Sequence, residues 1–399
     1  MLRVPTAVLA ATLTLAAVAA GAQTTAPRPP AVREGTTELA RGWTALSTGR
    51  ATEAERASDA VLKIAPRSHD ALSLKIRARL LGRNVLSALD AYEAWLPQVR
   101  EHEDVFLLES IALGVAEGLA GASDPSVRAR ALELLAATGD ARARADLAQV
   151  APGKEGSIQT DRALARLGDA DAVRRLAAAI KAGSGAGGGR DVSDAIDALR
   201  EGGVKSAAPM MIAALDPARP LPTKMAAARA LAEFGDPAAI APLRQALNDP
   251  DPPVRVAAAA ALARLGDDAG ISFVRKFENS PVGDLRLLAV EASAAGNPTG
   301  AWVSVATGVL TDPDPLVRLQ AAELLMQHAA NPGNARDVLF SALGDANPAM
   351  RTAAARSLER IPAAALENDL GALRRLLRDP SPLVQLEAAA GLLRVSGAM

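Results

Sequence analysis

The stretch Asp249–Asp267, DPDPPVRVAAAAALARLGD, decides the fold because the chain keeps rewriting it. Its last seven letters, ALARLGD, also stand at Ala163–Asp169, and its first six return nearly unchanged at Asp312–Val317. Seven positions align on its Val-Arg pair: Val127-Arg128, Thr223-Lys224, Val254-Arg255, Leu285-Arg286, Val317-Arg318, Met350-Arg351 and Val384-Gln385. From Lys224 onward the steps between anchors are 31, 31, 32, 33 and 34 residues. Weaker units are anchored near Ser157 and Val192. About nine units at this period imply a solenoid, because each unit needs its neighbours to bury its apolar face.

The wording inside a unit spells two helices and two turns. Four residues before the anchor stand Asp124, Asp251, Asp314, Asn347 and Ser381. These are good N-caps, whose side-chain oxygens accept from unpaired N–H groups of the first turn. Each is followed by proline, which suits the first helical position because no N–H is needed there. An alanine-rich helix comes next, then a Gly-Asp turn such as Gly235-Asp236 or Gly266-Asp267, then a second helix such as Pro237–Leu247.

The pattern D-x-x-V-R-x-x-A-x-x-x-L, closed by Gly-Asp, resembles HEAT-like repeats of the phycobilisome-lyase type over roughly Ser123–Val395. That resemblance implies an all-α fold, a right-handed α-solenoid of stacked helical hairpins in the HEAT-like or armadillo-type superhelix. It also implies an internal ladder in which the recurring Arg128, Arg255, Arg286, Arg318 and Arg351 pair with carboxylates. The candidate carboxylates are Asp249, Asp312, Asp345 and Asp379, each six residues before an anchor. Lys224 and Gln385 depart from the pattern, so the ladder is expected to weaken at those units. With about 8–10 Å per packed helix layer, an extended array would be roughly 70–90 Å long. Pigment ligation does not carry over, because it implies a photosynthetic cytosolic setting that the amino terminus contradicts.

Residues 1–22 read as a secretory signal: Arg3, an apolar stretch, then Ala20-Gly21-Ala22 before Gln23. An uncleaved anchor is the alternative, since Val4–Ala22 approaches spanning length. Residues 23–35 read as a flexible linker. In 36–98, Gly42, Gly49, Ala54 and Pro66 stand at tetratricopeptide-like spacings, and a second hairpin surrounds Gly82, Ala88, Tyr92, Trp95 and Pro97. Residues 99–399 are assigned to the HEAT-like solenoid. No later segment is apolar and long enough to span a bilayer, so no integral membrane segment is expected after signal removal.

Composition narrows the chemistry. Hydrophobic residues make up 49% of the chain but aromatic residues only 2%, so the core is built from small side chains. A net charge of −1 lacks the basic excess that nucleic-acid binding requires. There is no cysteine, and the three histidines, His69, His102 and His328, are far apart in sequence. HEAT-repeat di-iron hydroxylases use several His-Glu pairs, which this chain lacks. Gly183–Gly188 formally satisfies G-x-G-x-x-G, but a helix-like segment precedes it where a dinucleotide fold requires a strand. No metal, cofactor or catalytic group is therefore expected. Phe273, Phe277 and Trp302, and separately Arg374, Arg375 and Arg378, are candidates for a binding patch against a stronger expectation of ordinary core and solvated helix. The expected function is an exported, non-catalytic scaffold or adaptor in the bacterial cell envelope, periplasmic or secreted, binding protein or peptide partners. The alternative is an envelope enzyme, or an enzyme subunit, with its site in the concave groove.

Overall fold

Aspartate followed by proline starts a helix, and a left-handed glycine ends it. The computed structural model shows both devices along the chain, and it describes residues 30–99, 103–149, 157–183, 189–278, 280–294, 300–366 and 369–399. The expected signal segment, residues 23–29 of the expected linker, His102 and most of the Gly183–Gly188 loop lie outside them. Among the described residues there is no strand. No described helix is long and apolar enough to cross a membrane.

The first helices are α1 (Pro30–Ser47), α2 (Ala51–Ile64), α3 (His69–Leu81), α4 (Val85–Val99) and α5 (Val105–Leu119). The chain divides into two compact units, one up to Gly114 and one from Val115. In the first unit, α1 to α4 pack as consecutive antiparallel hairpins. The expected linker is corrected at its end: α1 begins at Pro30, so residues 30–35 are helical. Proline's fixed φ is pre-set for a helix's first turn, which a reading of proline as tether overlooks. Gly42 sits where a Cβ would lie 3.0 Å from Ala57 Cβ and press into Leu74, so its small size sets the helix spacing.

The second unit continues with α6 (Pro125–Ala137), α7 (Ala141–Gln149), α8 (Ser157–Arg166), α9 (Ala170–Ala182) and α10 (Gly189–Glu201). Then come α11 (Ala208–Ala214), α12 (Leu221–Phe234), α13 (Ile240–Ala246), α14 (Pro252–Arg264), α15 (Asp268–Val274) and α16 (Gly283–Ala294). The last are α17 (Trp302–Val309), α18 (Pro315–His328), α19 (Ala335–Ala342), α20 (Pro348–Arg360), α21 (Leu370–Leu376) and α22 (Pro382–Ser396). The even-numbered helices carry the repeated Val-Arg anchors and pack each against the next, α6 on α8 through α20 on α22. The odd-numbered helices pack on their hairpin partners without comparable contact along their own row. The even row is therefore the inside of a curve. Its alanines explain the close approach: Ala226, Ala227, Ala228 and Ala230 in α12, and Ala258 and Ala259 in α14, are fully buried.

The curve closes. α22 packs on α6, and Arg130 donates to Glu387 Oε2 at 2.7 Å across 257 residues of sequence. The extended 70–90 Å array is thus replaced by a ring of inner helices. Nine equally spaced helices at about 8–10 Å would form a ring roughly 25 Å across between axes, with an opening of about 15 Å.

Candidate functional site

The anchor residues act first on the main chain. Arg128, Arg255, Arg286, Arg318 and Arg351 each donate through Nη1 to the carbonyl six residues earlier, those of Ala122, Asp249, Ser280, Asp312 and Asp345, at 2.7–2.8 Å. Gln385 does the same to the Asp379 carbonyl at 2.6 Å. Each clip ties the start of an inner helix to the turn before it.

Carboxylate pairing is intermittent. Arg286 reaches Asp312 at 2.9 Å, and Arg351 grips both oxygens of Asp379 at 2.7 and 3.0 Å. Among the described residues Arg255 has no such partner, because Ser280 occupies the equivalent place. Arg318 and Asp345 both line one cleft and form no ion pair. Arg128 is bonded to a carbonyl. Lys224 reverses the expectation of weakening: buried, it donates to Asp249 at 2.9 and 3.0 Å and to Asp251 at 2.8 Å. Burial opposes its charge, and the two carboxylates raise its pKa above the ordinary lysine value. Lysine's single ammonium replaces the guanidinium and collects two aspartates.

Among the expected N-caps, Asp124 accepts from the amides of Ser126 and Val127, Asp314 from Leu316, and Asn347 from Ala349. Asp251 and Ser381 do not cap through their side chains. Asp251 is drawn to Lys224, and the Ser381 amide is itself held by Asp379 Oδ1 at 2.8 Å. The same turn recurs where Asp249, Asp312 and Asp345 accept from Asp251, Asp314 and Asn347.

The aromatic candidates are core residues, which was the stronger expectation for them. Phe273 and Phe277 lie 5.5 Å apart between ring centroids, partly buried against Ala259, Ala260, Val274 and Ala289. Trp302 is 3% exposed, a core residue of α17. Arg374 and Arg375 belong to α21 and Arg378 follows it, with Arg375 and Arg378 exposed.

What sequence reasoning missed is the lining of the ring. Successive inner helices are bolted by ion pairs: Glu133 to Arg166 at 3.1 Å, Arg162 to Glu201 at 3.7 Å, and Arg200 to Glu233 at 2.8 Å. Arg264 follows with Glu291 at 3.2 Å, Glu323 with Arg360, and Arg356 with Glu387 at 3.0 Å. Glu387 and Arg130 join the last inner helix to the first. Three electrostatic interactions skip a helix and so run across the concave side. Glu291 on α16 feels Arg229 and Glu233 on α12, and His328 on α18 feels Arg264 on α14. Desolvation is the main push on Glu291, a side chain still 43% exposed, and raises its carboxyl above the usual range. Glu233 and Glu323 add to that push, and Arg264 and Arg229 oppose it. Desolvation, then Arg264, lowers His328. The signal was present as charges four and five residues apart on alanine-rich helices, but no local pattern says which helices meet.

A second missed feature is an apolar edge. Leu221, Val282 and Leu316, at the N-terminal ends of α12, α16 and α18, are 38%, 50% and 45% exposed. Pro252, Pro348 and Pro382 are exposed at the first positions of α14, α20 and α22. Among the described residues, no group of three or more His, Asp and Glu side chains is placed to hold a metal ion.

A family model of HEAT repeats matches residues 208–294 and 303–394. No curated protein matches the chain. Among solved structures, human deoxyhypusine hydroxylase in complex with glycerol is similar at 20% sequence identity, with a TM-score of 0.32. The similarity covers 73% of this chain and 98% of that one.

Proposed function

We propose that this chain, whose residues 208–294 and 303–394 are HEAT repeats, is an exported, non-catalytic scaffold of the bacterial cell envelope that binds protein or peptide partners. HEAT repeats are scaffolds for protein interaction, and their stacked units present side chains over a long span. The observation that carries the reading is the exposed apolar edge of Leu221, Val282 and Leu316. Large apolar side chains lined along one rim favour burial against another protein. The closed inner row supports the same reading, because a preorganised frame lowers the ordering cost of binding. The charges of the lining are largely committed to holding helices together, which leaves the rim as the recognition surface.

The test places a photo-crosslinking residue at Leu221 on the rim and, separately, at Ser304 on the outer helix α17, in cells that express the full chain. Discrete adducts from the rim and none from Ser304 support the scaffold. Equal adducts from both, or none from either, refute the rim as the surface. Fractionation of the same cells tests export: recovery of the protein in the cytoplasm, with residues 1–22 retained, overturns that part.

A second reading, an envelope enzyme with a site in the groove, has one observation behind it. Glu291 and His328 have shifted pKa values and share the inner face, as catalytic acids and bases often do. Its test is chemical: selective, saturable modification of Glu291 by a water-soluble carbodiimide, blocked by envelope extract, favours a small-molecule site there.

A further inference from the structure

Among the described residues, the ladder has one junction where both partners stand in place and do not meet. Arg318 and Asp345 are 27 residues apart, against 25 for Lys224–Asp249, 26 for Arg286–Asp312 and 28 for Arg351–Asp379. Each keeps the pose of its counterparts. Arg318 Nη1 donates to the carbonyls of Asp312 and Pro313 at 2.7 and 3.0 Å, as Arg351 Nη1 does to Asp345 and Ala346. Asp345 Oδ1 accepts from the Asn347 amide at 2.7 Å, as Asp379 Oδ1 does from Ser381 at 2.8 Å. Between them opens a cleft of about 410 Å³, walled by α18, α19 and α20.

The chemistry of the cleft is specific. Arg351 uses its Nε and Nη2 edge to grip Asp379 in the two-pronged manner that suits a carboxylate. The same edge of Arg318 has no protein partner among the described residues. Asp345 and Asp337 supply two carboxylates, while Asn334 adds a neutral polar group. The neighbouring Arg336 is turned away to Asp369. Val338 and Met350 give an apolar wall. One guanidinium, two carboxylates and an aliphatic wall match a molecule with one carboxylate, two cationic groups and a methylene chain. The volume falls in the ordinary range of ligand pockets, roughly 300–1,000 Å³.

We propose that the cleft between α18, α19 and α20 binds free α-amino acids and prefers basic ones. The ligand's carboxylate lies on the Arg318 edge, and its α-ammonium and side-chain cation lie against Asp345 and Asp337. Such a ligand takes the place of the missing rung and ties α18 to α20. The site is independent of the apolar rim, so it stands or falls separately from the scaffold reading.

Calorimetric titration of the full chain with L-lysine tests this. Saturable binding is expected, with no binding of L-glutamate and loss on removing either end of the zwitterion, in lysinamide or 6-aminohexanoate. Arg318→Ala and the near-isosteric Asp345→Asn each weaken L-lysine by about tenfold or more, as loss of a charged hydrogen bond does. Arg255→Ala, which removes a clip two units away, leaves the affinity unchanged. Absence of L-lysine binding, or binding unaffected by Arg318→Ala in a folded variant, overturns the proposal. A ligand-free double-mutant cycle of Arg318 with Asp345 that matches the coupling of Arg351 with Asp379 also overturns it, because the rung is then closed directly.

Discussion

Glu387→Gln tests ring closure most directly. Glu387 is 1% exposed and holds Arg130 at 2.7 Å and Arg356 at 3.0 Å. Arg130 is 8% exposed and also touches Glu133 at 3.0 Å. Burial is the largest single influence on Arg130 and opposes its charge, while Glu387 and Glu133 together outweigh burial and raise its pKa. Glutamine keeps the shape and removes the charge, leaving Arg130 buried without the Glu387 carboxylate. Breaking a buried pair in this way costs about 3–5 kcal/mol, and the remaining Glu133 contact places the expectation near 3 kcal/mol. Arg130→Met costs a similar amount. The double variant costs less than the sum by about 2 kcal/mol, since each change has already removed the other's partner. The assay is urea denaturation of the four proteins of the cycle, followed by circular dichroism. Residues 257 positions apart on the first and last inner helices have no route to coupling other than closure. A coupling below about 0.5 kcal/mol would refute the ring in solution.

Further outcomes follow from other contacts. Lys224→Met strands Asp249 in the core and is expected to cost about 3–5 kcal/mol, against about 1 kcal/mol for the clip lost in Arg255→Met. The reverse order, measured by thermal melting, would contradict the buried rung. Glu291 has a folded pKa above its ordinary 4.5, so it contributes stability below that value and loses it as pH rises through the raised one. Glu291→Gln therefore stabilises the protein near neutrality, and the gap from wild type vanishes in acid, which melting at stepped pH values reads out. Gly270 packs so closely that a Cβ would lie 2.6 Å from the Ala263 amide nitrogen and 2.7 Å from the Ala259 carbonyl oxygen. Because backbone cannot yield as a side-chain tip can, Gly270→Ala forces α15 off α14 and costs about 1–3 kcal/mol. A melting temperature equal to wild type would show the two helices to be less tightly seated.

The sequence by itself carried everything that is local. Asp314 followed by Pro315 starts a helix in the chain as it does on paper, and Gly266, at φ 77°, followed by Asp267 ends one and caps the next. Period, hairpin order and the main-chain clips were within reach because each involves residues about six positions apart or one repeat apart. The intermittent rungs were less legible, since Arg318 and Arg351 share one motif and differ only in how neighbouring units are spaced. Closure was not legible at all. About 40° of turn per unit closes a ring of nine, and a few degrees fewer leave an open spiral with identical caps. That angle is set by how alanine-faced inner helices approach while the outer row splays. Only the tertiary structure, by bringing Arg130 to Glu387, decided that the repeated sentence ends where it began.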